Sequence, residues 1–321
     1  MTRPDLLVVT RYSDDDMHAL AQHYTLHVLS DAADSARLLD EVGPRIRALA
    51  TNGESGASAA LIDALPALEI IVCYGVGVDA IDLERAKARG IRVTYTPDVL
   101  TGDVADMGIA LLLALARQIP AADAYVRRGD WGRKPIALTR RVFGQRLGIV
   151  GLGRVGRALA RRATGFDMQV MYHDRMHFDD VPYAWCENLV DLARQVDFLV
   201  VCAAADQGTR ALIDARVLDA LGPDGMLVNV ARGSIVDEPV LLDYLRERRI
   251  AGAALDVFWN EPAIDPAFAS LDNVVLQPHR SSATLQTRAA MAELVRGNLA
   301  AFFADAPLVS EYPLVREIAV A

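Results

Sequence analysis

Three apolar runs near the C-terminal end of the chain each stop at a residue able to do chemistry. Met226-Leu227-Val228-Asn229-Val230 leads into Arg232-Gly233, and Ala253-Ala254-Leu255-Asp256-Val257 leads towards Glu261-Pro262. Asn273-Val274-Val275-Leu276 then leads into Pro278-His279. If the runs are strands of an open parallel sheet, all three polar residues fall in the crevice beyond the carboxyl ends, where ligands bind. A guanidinium there is an anion anchor with a planar fork of donors. An imidazole with a carboxylate makes an acid/base pair. The plain alternative is a surface ion pair of Arg232 with Glu261 and a satisfied strand-end histidine. Repetition on successive strands argues against it.

A second feature lies upstream. Gly151-Leu152-Gly153-Arg154-Val155-Gly156 matches GxGxxG, follows the apolar run 147–150 and opens a helical pattern over 154–163. In that setting Gly151 permits the tight turn, Gly153 lets backbone approach a pyrophosphate, and Gly156 allows close helix–strand packing. The helix N-terminus supplies N–H groups and a positive dipole end to the phosphates. About twenty residues on, the next strand ends in Tyr172-His173-Asp174-Arg175. Asp174 would bond ribose hydroxyls and favour NAD, whereas Arg175 would bind a 2′-phosphate and favour NADP. The residues themselves leave both open.

These groups need elements to position them. The first hundred residues alternate strands at 6–9, 26–29, 48–50, 70–73 and 92–95 with helices at 14–24 and 81–89. Such alternation predicts a parallel α/β sheet. Thr96-Pro97-Asp98 is an expected hinge, because the residue before a proline is driven out of the helical region. The nearly all-apolar helix 104–119 follows, which should be buried between domains or against another subunit. Strands restart at 147–150, 168–172, 197–202, 226–230, 253–257 and 273–276, and a last helix spans 284–303. The fold class expected is α/β, with two doubly wound parallel-sheet domains, a dinucleotide-binding Rossmann domain at 99–284 being inserted into a domain made of 1–98 and 285–321.

Composition sets outer limits. The chain has 321 residues, 52% of them apolar, and a net charge of −9 without a basic block, which argues against nucleic-acid or anionic-membrane partners. Cys73, Cys186 and Cys202 show no CxxC spacing and suit a reduced compartment. The stretch Met1 to Asp5 has no apolar leader core. The longest apolar stretch, 108–116, is about nine residues against the ~20 of a spanning helix, so a cytoplasmic protein is expected. His23-x3-His27 and His173-x3-His177 have the spacing of helical metal pairs, but neither segment reads as a helix, and no metal site is expected.

Five segments together carry a family resemblance: VCYGVGVDAID (72–82), GIVGLGRVG (148–156), NVARGSIVDE (229–238), LDVFWNEP (255–262) and NVVLQPHRSSAT (273–284). In order and spacing they resemble the D-isomer-specific 2-hydroxyacid dehydrogenases over essentially the whole chain, and are most similar to the glyoxylate/hydroxypyruvate reductase branch. The resemblance implies NAD(P)H-dependent reduction of small 2-oxo acids on a flavodoxin-like substrate domain paired with the Rossmann domain. The ending Tyr172-x-x-Arg175 tips the cofactor towards NADPH, with NAD the alternative. His279 would be the general acid, Glu261 would fix its tautomer, and Arg232 would bridge the substrate's carbonyl and carboxylate. Backbone N–H groups of Val76 and Gly77 would hold that carboxylate. Further cofactor contacts are implied at Val104, Arg154, Val155, Val230, Asp256, His279 and Ser281, and Val104 and Asp106 line the cleft in relatives. A homodimer joined across helix 104–119 is implied, with Trp131 reaching a neighbouring active site.

Two departures stand out. Arg280-Ser281 follows His279 where relatives carry an apolar or small residue and then glycine, and Ala204 replaces a usual proline. Arg280 would either recognise a second substrate anion or point to solvent. An NAD-dependent dehydrogenase of another D-2-hydroxy acid, of D-lactate or phosphoglycerate type, and a non-catalytic nucleotide-sensing corepressor share these motifs.

Overall fold

The computed structural model describes residues 3–314. The extremes of the expected outer domain, residues 1–2 and 315–321, and the start of the stretch examined for a leader lie outside them. The chain divides into two compact units, one of residues 1–100 and 284–321, the other of residues 101–283.

The first unit holds a parallel sheet of β1 (Asp5–Val8), β2 (Thr25–Val28), β3 (Ala48–Asn52), β4 (Ile70–Tyr74) and β5 (Arg92–Thr94), in the order β2-β1-β3-β4-β5. This is the flavodoxin-like order. Its inner strands are continuous apolar runs because both faces are covered. Leu7, Leu49, Ile71 and Val93 share one core cluster with Ile46, Ile62 and Leu65. The final helix, Leu285–Phe303, packs against β4 of this unit. Thr284 caps its N-terminus, accepting from the Thr287 N–H at 3.1 Å, and Tyr74 donates its hydroxyl proton to the Arg288 carbonyl at 2.8 Å.

The second unit holds a parallel sheet of seven strands. They are β6 (Arg146–Val150), β7 (Gln169–His173), β8 (Ala184–Trp185), β9 (Phe198–Val201), β10 (Met226–Asn229), β11 (Gly252–Leu255) and β12 (Val274–Leu276). The order β12-β11-β10-β9-β6-β7-β8 reverses direction between β6 and β9, the topological switch point of a doubly wound sheet. Six strands are legible from apolar runs. The seventh, β8, is two residues long and has no periodicity to read.

The expected helix 104–119 differs in its extent. It is two helices, Thr101–Ala116 and Ile119–Arg127, broken where Gln118 takes a left-handed φ of 50°. Within its own unit Ile109, Leu112 and Leu115 are buried, and the helix Thr101–Ala116 packs on Arg154–Thr164 and on β10, β11 and β12. A Cβ at Gly108 would lie 2.5 Å from Leu159 Cδ1, so glycine is what lets the two helices approach. Among the described residues no single helix is long and apolar enough to cross a membrane.

Candidate active site and nucleotide site

β10 ends at Asn229, whose buried side chain clamps the turn that follows. Its Oδ1 accepts from the Ala231 N–H at 3.0 Å, and its Nδ2 donates to the Arg232 carbonyl at 2.9 Å. Arg232 donates from Nη1 to the Ala231 carbonyl at 2.8 Å. Gly233 follows because a Cβ there would sit 2.1 Å from the Phe258 carbonyl carbon. The Arg-Gly spacing therefore lets the loops after β10 and β11 press together.

Glu261, on the loop after β11, is half-buried. Its Oε1 accepts from the Phe258 N–H at 2.7 Å, and its Oε2 lies 2.6 Å from Nδ1 of His279. Burial pushes this carboxyl up, but the hydrogen bonds from His279 and Phe258, with the charges of His279 and Arg232, outweigh burial and hold it below its ordinary value. Glu261 is thus ionised at neutral pH and only accepts, so Nδ1 of His279 is the donor. Nε2 is the ring nitrogen outside this pair.

His279 itself sits in the left-handed region, at φ 50°. For a residue with a Cβ that conformation costs about 1–2 kcal/mol, and such strain persists only where surroundings impose it. Here Asp256 imposes it. The Asp256 carbonyl accepts from the His279 N–H at 2.8 Å, its Oδ1 from the Arg280 N–H at 2.7 Å, and its Oδ2 from the Ser281 N–H at 2.9 Å and the Ser281 hydroxyl. Asp256 has no exposed surface and Ser281 is buried, and the bonds between them shape the loop that carries His279.

The glycine loop divides its three glycines by function. Gly151 has φ 90°, and a Cβ there would lie 2.5 Å from the Ala203 Cα; at Gly156 it would lie 2.1 Å from the Gly151 carbonyl oxygen. At Gly153 no atom lies within 4 Å. Gly153 is followed by the helix Arg154–Thr164, whose N-terminus has no side-chain cap. An open glycine face before an uncapped N-terminus fits a dinucleotide pyrophosphate. Gly153→Ala should leave the melting temperature within a degree or two while weakening nucleotide binding about tenfold. Gly151→Ala should unfold at clearly lower temperature, so thermal melting with and without nucleotide separates the two roles.

Within this loop Arg154 is exposed, Val155 is half-buried, and Val104 and Val230 are buried in the unit's interior. Asp106 makes an ion pair with Arg162. Asp174 turns towards the glycines, accepting from the Leu152 N–H at 2.8 Å. Its neighbour Arg175 turns outward and meets Asp206 at 3.1 Å. The two candidates for ribose recognition are therefore separated by direction. Arg280 and Trp131 are both exposed.

In the first unit, the loop Gly75-Val76-Gly77 follows β4. Among the described residues neither the Val76 nor the Gly77 N–H has an acceptor, as an anion-binding backbone turn requires. The Gly75 carbonyl accepts from the Thr96 N–H at 2.9 Å. Elsewhere His27 pairs with Asp5, and His173 Nδ1 lies 3.0 Å from the Cys186 carbonyl oxygen, so neither member of the spaced histidine pairs that they represent is idle. Asn229 and Asp206 were not singled out from sequence. A polar side chain closing an apolar strand, as Asn229 does, must find buried partners and is the signal that could have marked it.

Residues 109–281 match the family described as D-isomer specific 2-hydroxyacid dehydrogenase, NAD binding domain. A glyoxylate/hydroxypyruvate reductase A of Arabidopsis thaliana is 45% identical over 91% of this chain and 93% of its own. A 2-ketogluconate reductase of Gluconobacter oxydans is 42% identical over 96% and 98%. The crystal structure of an NADPH-dependent glyoxylate/hydroxypyruvate reductase from Sinorhizobium meliloti, in complex with NADP and malonate, superposes with a TM-score of 0.91 at 39% identity, covering 98% of each chain. The chain belongs to the D-isomer-specific 2-hydroxyacid dehydrogenases, in their glyoxylate/hydroxypyruvate reductase branch, and is an oxidoreductase.

Proposed function

We propose that the chain reduces small 2-oxo acids such as glyoxylate and hydroxypyruvate to 2-hydroxy acids, of D configuration where the product is chiral, with NADPH preferred to NADH. The observation that carries this reading is the His279–Glu261 pair, in which the ionised carboxylate holds Nδ1 and feels the charge of Arg232. Gly151, Gly153, Arg154, Val155 and Gly156 would hold the dinucleotide phosphates, and Arg175 the 2′-phosphate. When bound, the cofactor supplies the hydride.

The chain's own residues do the rest. Arg232 spans the 2-oxo acid's carboxylate and carbonyl oxygens, orienting the carbonyl and stabilising charge on its oxygen. His279 delivers a proton from Nε2 to that oxygen, and Glu261 holds the ring and balances its positive charge. In the first unit, the N–H groups of Val76 and Gly77 are assigned to the substrate carboxylate.

A steady-state panel of 2-oxo acids with each cofactor tests the proposal. Oxidation of neither NADPH nor NADH with any of them would overturn it, and saturable nucleotide binding without turnover would point to a nucleotide sensor. A clear preference for NADH with lactate- or phosphoglycerate-type substrates would move the chain to the other dehydrogenase reading.

Its free cysteines support a cytoplasmic enzyme. Homodimer formation is also proposed, across helix 104–119 and the exposed apolar residues that continue from its end. Ile119, Val126, Trp131, Ile136, Leu138 and Phe143 form an exposed apolar series, with Leu138 99% and Trp131 78% accessible. Gel filtration should give about twice the 34.8 kDa chain mass, and Leu138→Asp should shift it towards the monomer. A monomeric wild type would remove this proposal.

A further inference from the structure

We infer that Asp206 sets how strongly the enzyme prefers NADPH, by holding Arg175 in an internal ion pair that a 2′-phosphate must displace. The inference rests on the proposed assignment of Arg175 to that phosphate.

The loop after β9 carries the run Ala203-Ala204-Ala205-Asp206. It lies at the switch point, and its Ala203 backbone abuts Gly151 so closely that no Cβ fits between them. The turn is rigidly built. Asp206 Oδ1 accepts from the Thr209 N–H at 3.0 Å, the Asp206 N–H donates to Thr209 Oγ1 at 2.8 Å, and that hydroxyl donates onward to the Ala204 carbonyl at 3.0 Å. Thr209 is buried. One carboxylate oxygen is thus committed to the turn, and the other, Oδ2, meets Arg175 Nη1 at 3.1 Å.

Arg175 is 66% exposed and Asp206 34%. The pair is therefore open to solvent and exchangeable, since an exposed ion pair is weak. A doubly charged phosphate arriving at Arg175 gains the guanidinium only by drawing it from Asp206, and meets that carboxylate's repulsion as well. NADH, with ribose hydroxyls there, encounters neither effect. Asp206 is accordingly a positioning residue that taxes one cofactor and spares the other.

Asp206→Asn keeps the Oδ1 acceptor for Thr209 and so the turn, while removing the charge. Dissociation constants of NADPH and NADH, measured by fluorescence titration in wild type, Asp206→Asn, Arg175→Ala and the double variant, test the inference. Expected is about three- to tenfold tighter NADPH binding in Asp206→Asn, with NADH changed less than twofold. The gain should shrink at high salt and vanish in the Arg175→Ala background. Weaker NADPH binding in Asp206→Asn, equal changes for both cofactors, or no change would overturn the inference while Arg175→Ala still loses NADPH selectively. If Arg175→Ala affects both cofactors alike, the underlying assignment falls, and the inference with it.

Discussion

Replacing His279 by alanine should lower kcat for glyoxylate reduction by about three orders of magnitude, the middle of the range a positioned general acid contributes. The loss arises at Nε2, the only ring nitrogen left by the Nδ1–Glu261 hydrogen bond. KM for the 2-oxo acid should move little, because its anchoring groups remain. Retention of more than a tenth of wild-type kcat would mean that the proton comes from elsewhere. The same variant leaves Glu261 half-buried without its main partner, and this has a signature in stability. In the wild type the Glu261 carboxyl is held below its unfolded value, so its contribution is present above the ordinary carboxylate range and is lost as pH falls through the depressed value. His279→Ala should lack that contribution at neutral pH already. Melting temperatures of the two proteins should therefore differ most at neutral pH and converge on acidification.

Arg232→Ala should lower kcat/KM about a thousandfold, through both orientation of the substrate and charge on the carbonyl oxygen. Arg232→Lys should recover little, since a point charge cannot span two acceptors as a planar fork does. The loop itself should survive, because Asn229 grips the main chain around residue 232 and not the guanidinium. NADPH affinity measured by fluorescence titration should accordingly stay near wild type. A parallel loss of cofactor affinity would show that Arg232 serves the nucleotide or the fold in place of the substrate.

Much of this site was legible before any coordinates. The carboxyl ends of β10, β11 and β12 could be located from apolar runs alone, and the doubly wound rule places ligands there whatever the loop details. Directions within loops were not legible. Asp174 and Arg175 are adjacent, and only the structure turns one to Leu152 and the other to Asp206. Asp256 has the type and position of a ligand-binding residue, and its bonds to the Arg280 and Ser281 N–H groups were not legible, because polarity at a strand end is silent about which main-chain groups it meets. The helix break was readable in part: Pro120 suits a first helical turn, which marks a new start and not the interior of one long helix. Continuous apolar composition across the break concealed it.

The suspension of His279 from Asp256 also separates two properties of the enzyme that share a short stretch of chain. Residue 280 contributes its main-chain N–H to the suspension and nothing from its side chain to those bonds. Any residue except proline can therefore stand there with the imidazole still aimed as before. The exposed side chain at 280 is thereby uncoupled from the aim of the imidazole beside it, so a change of residue there leaves the strained turn at 279 in place.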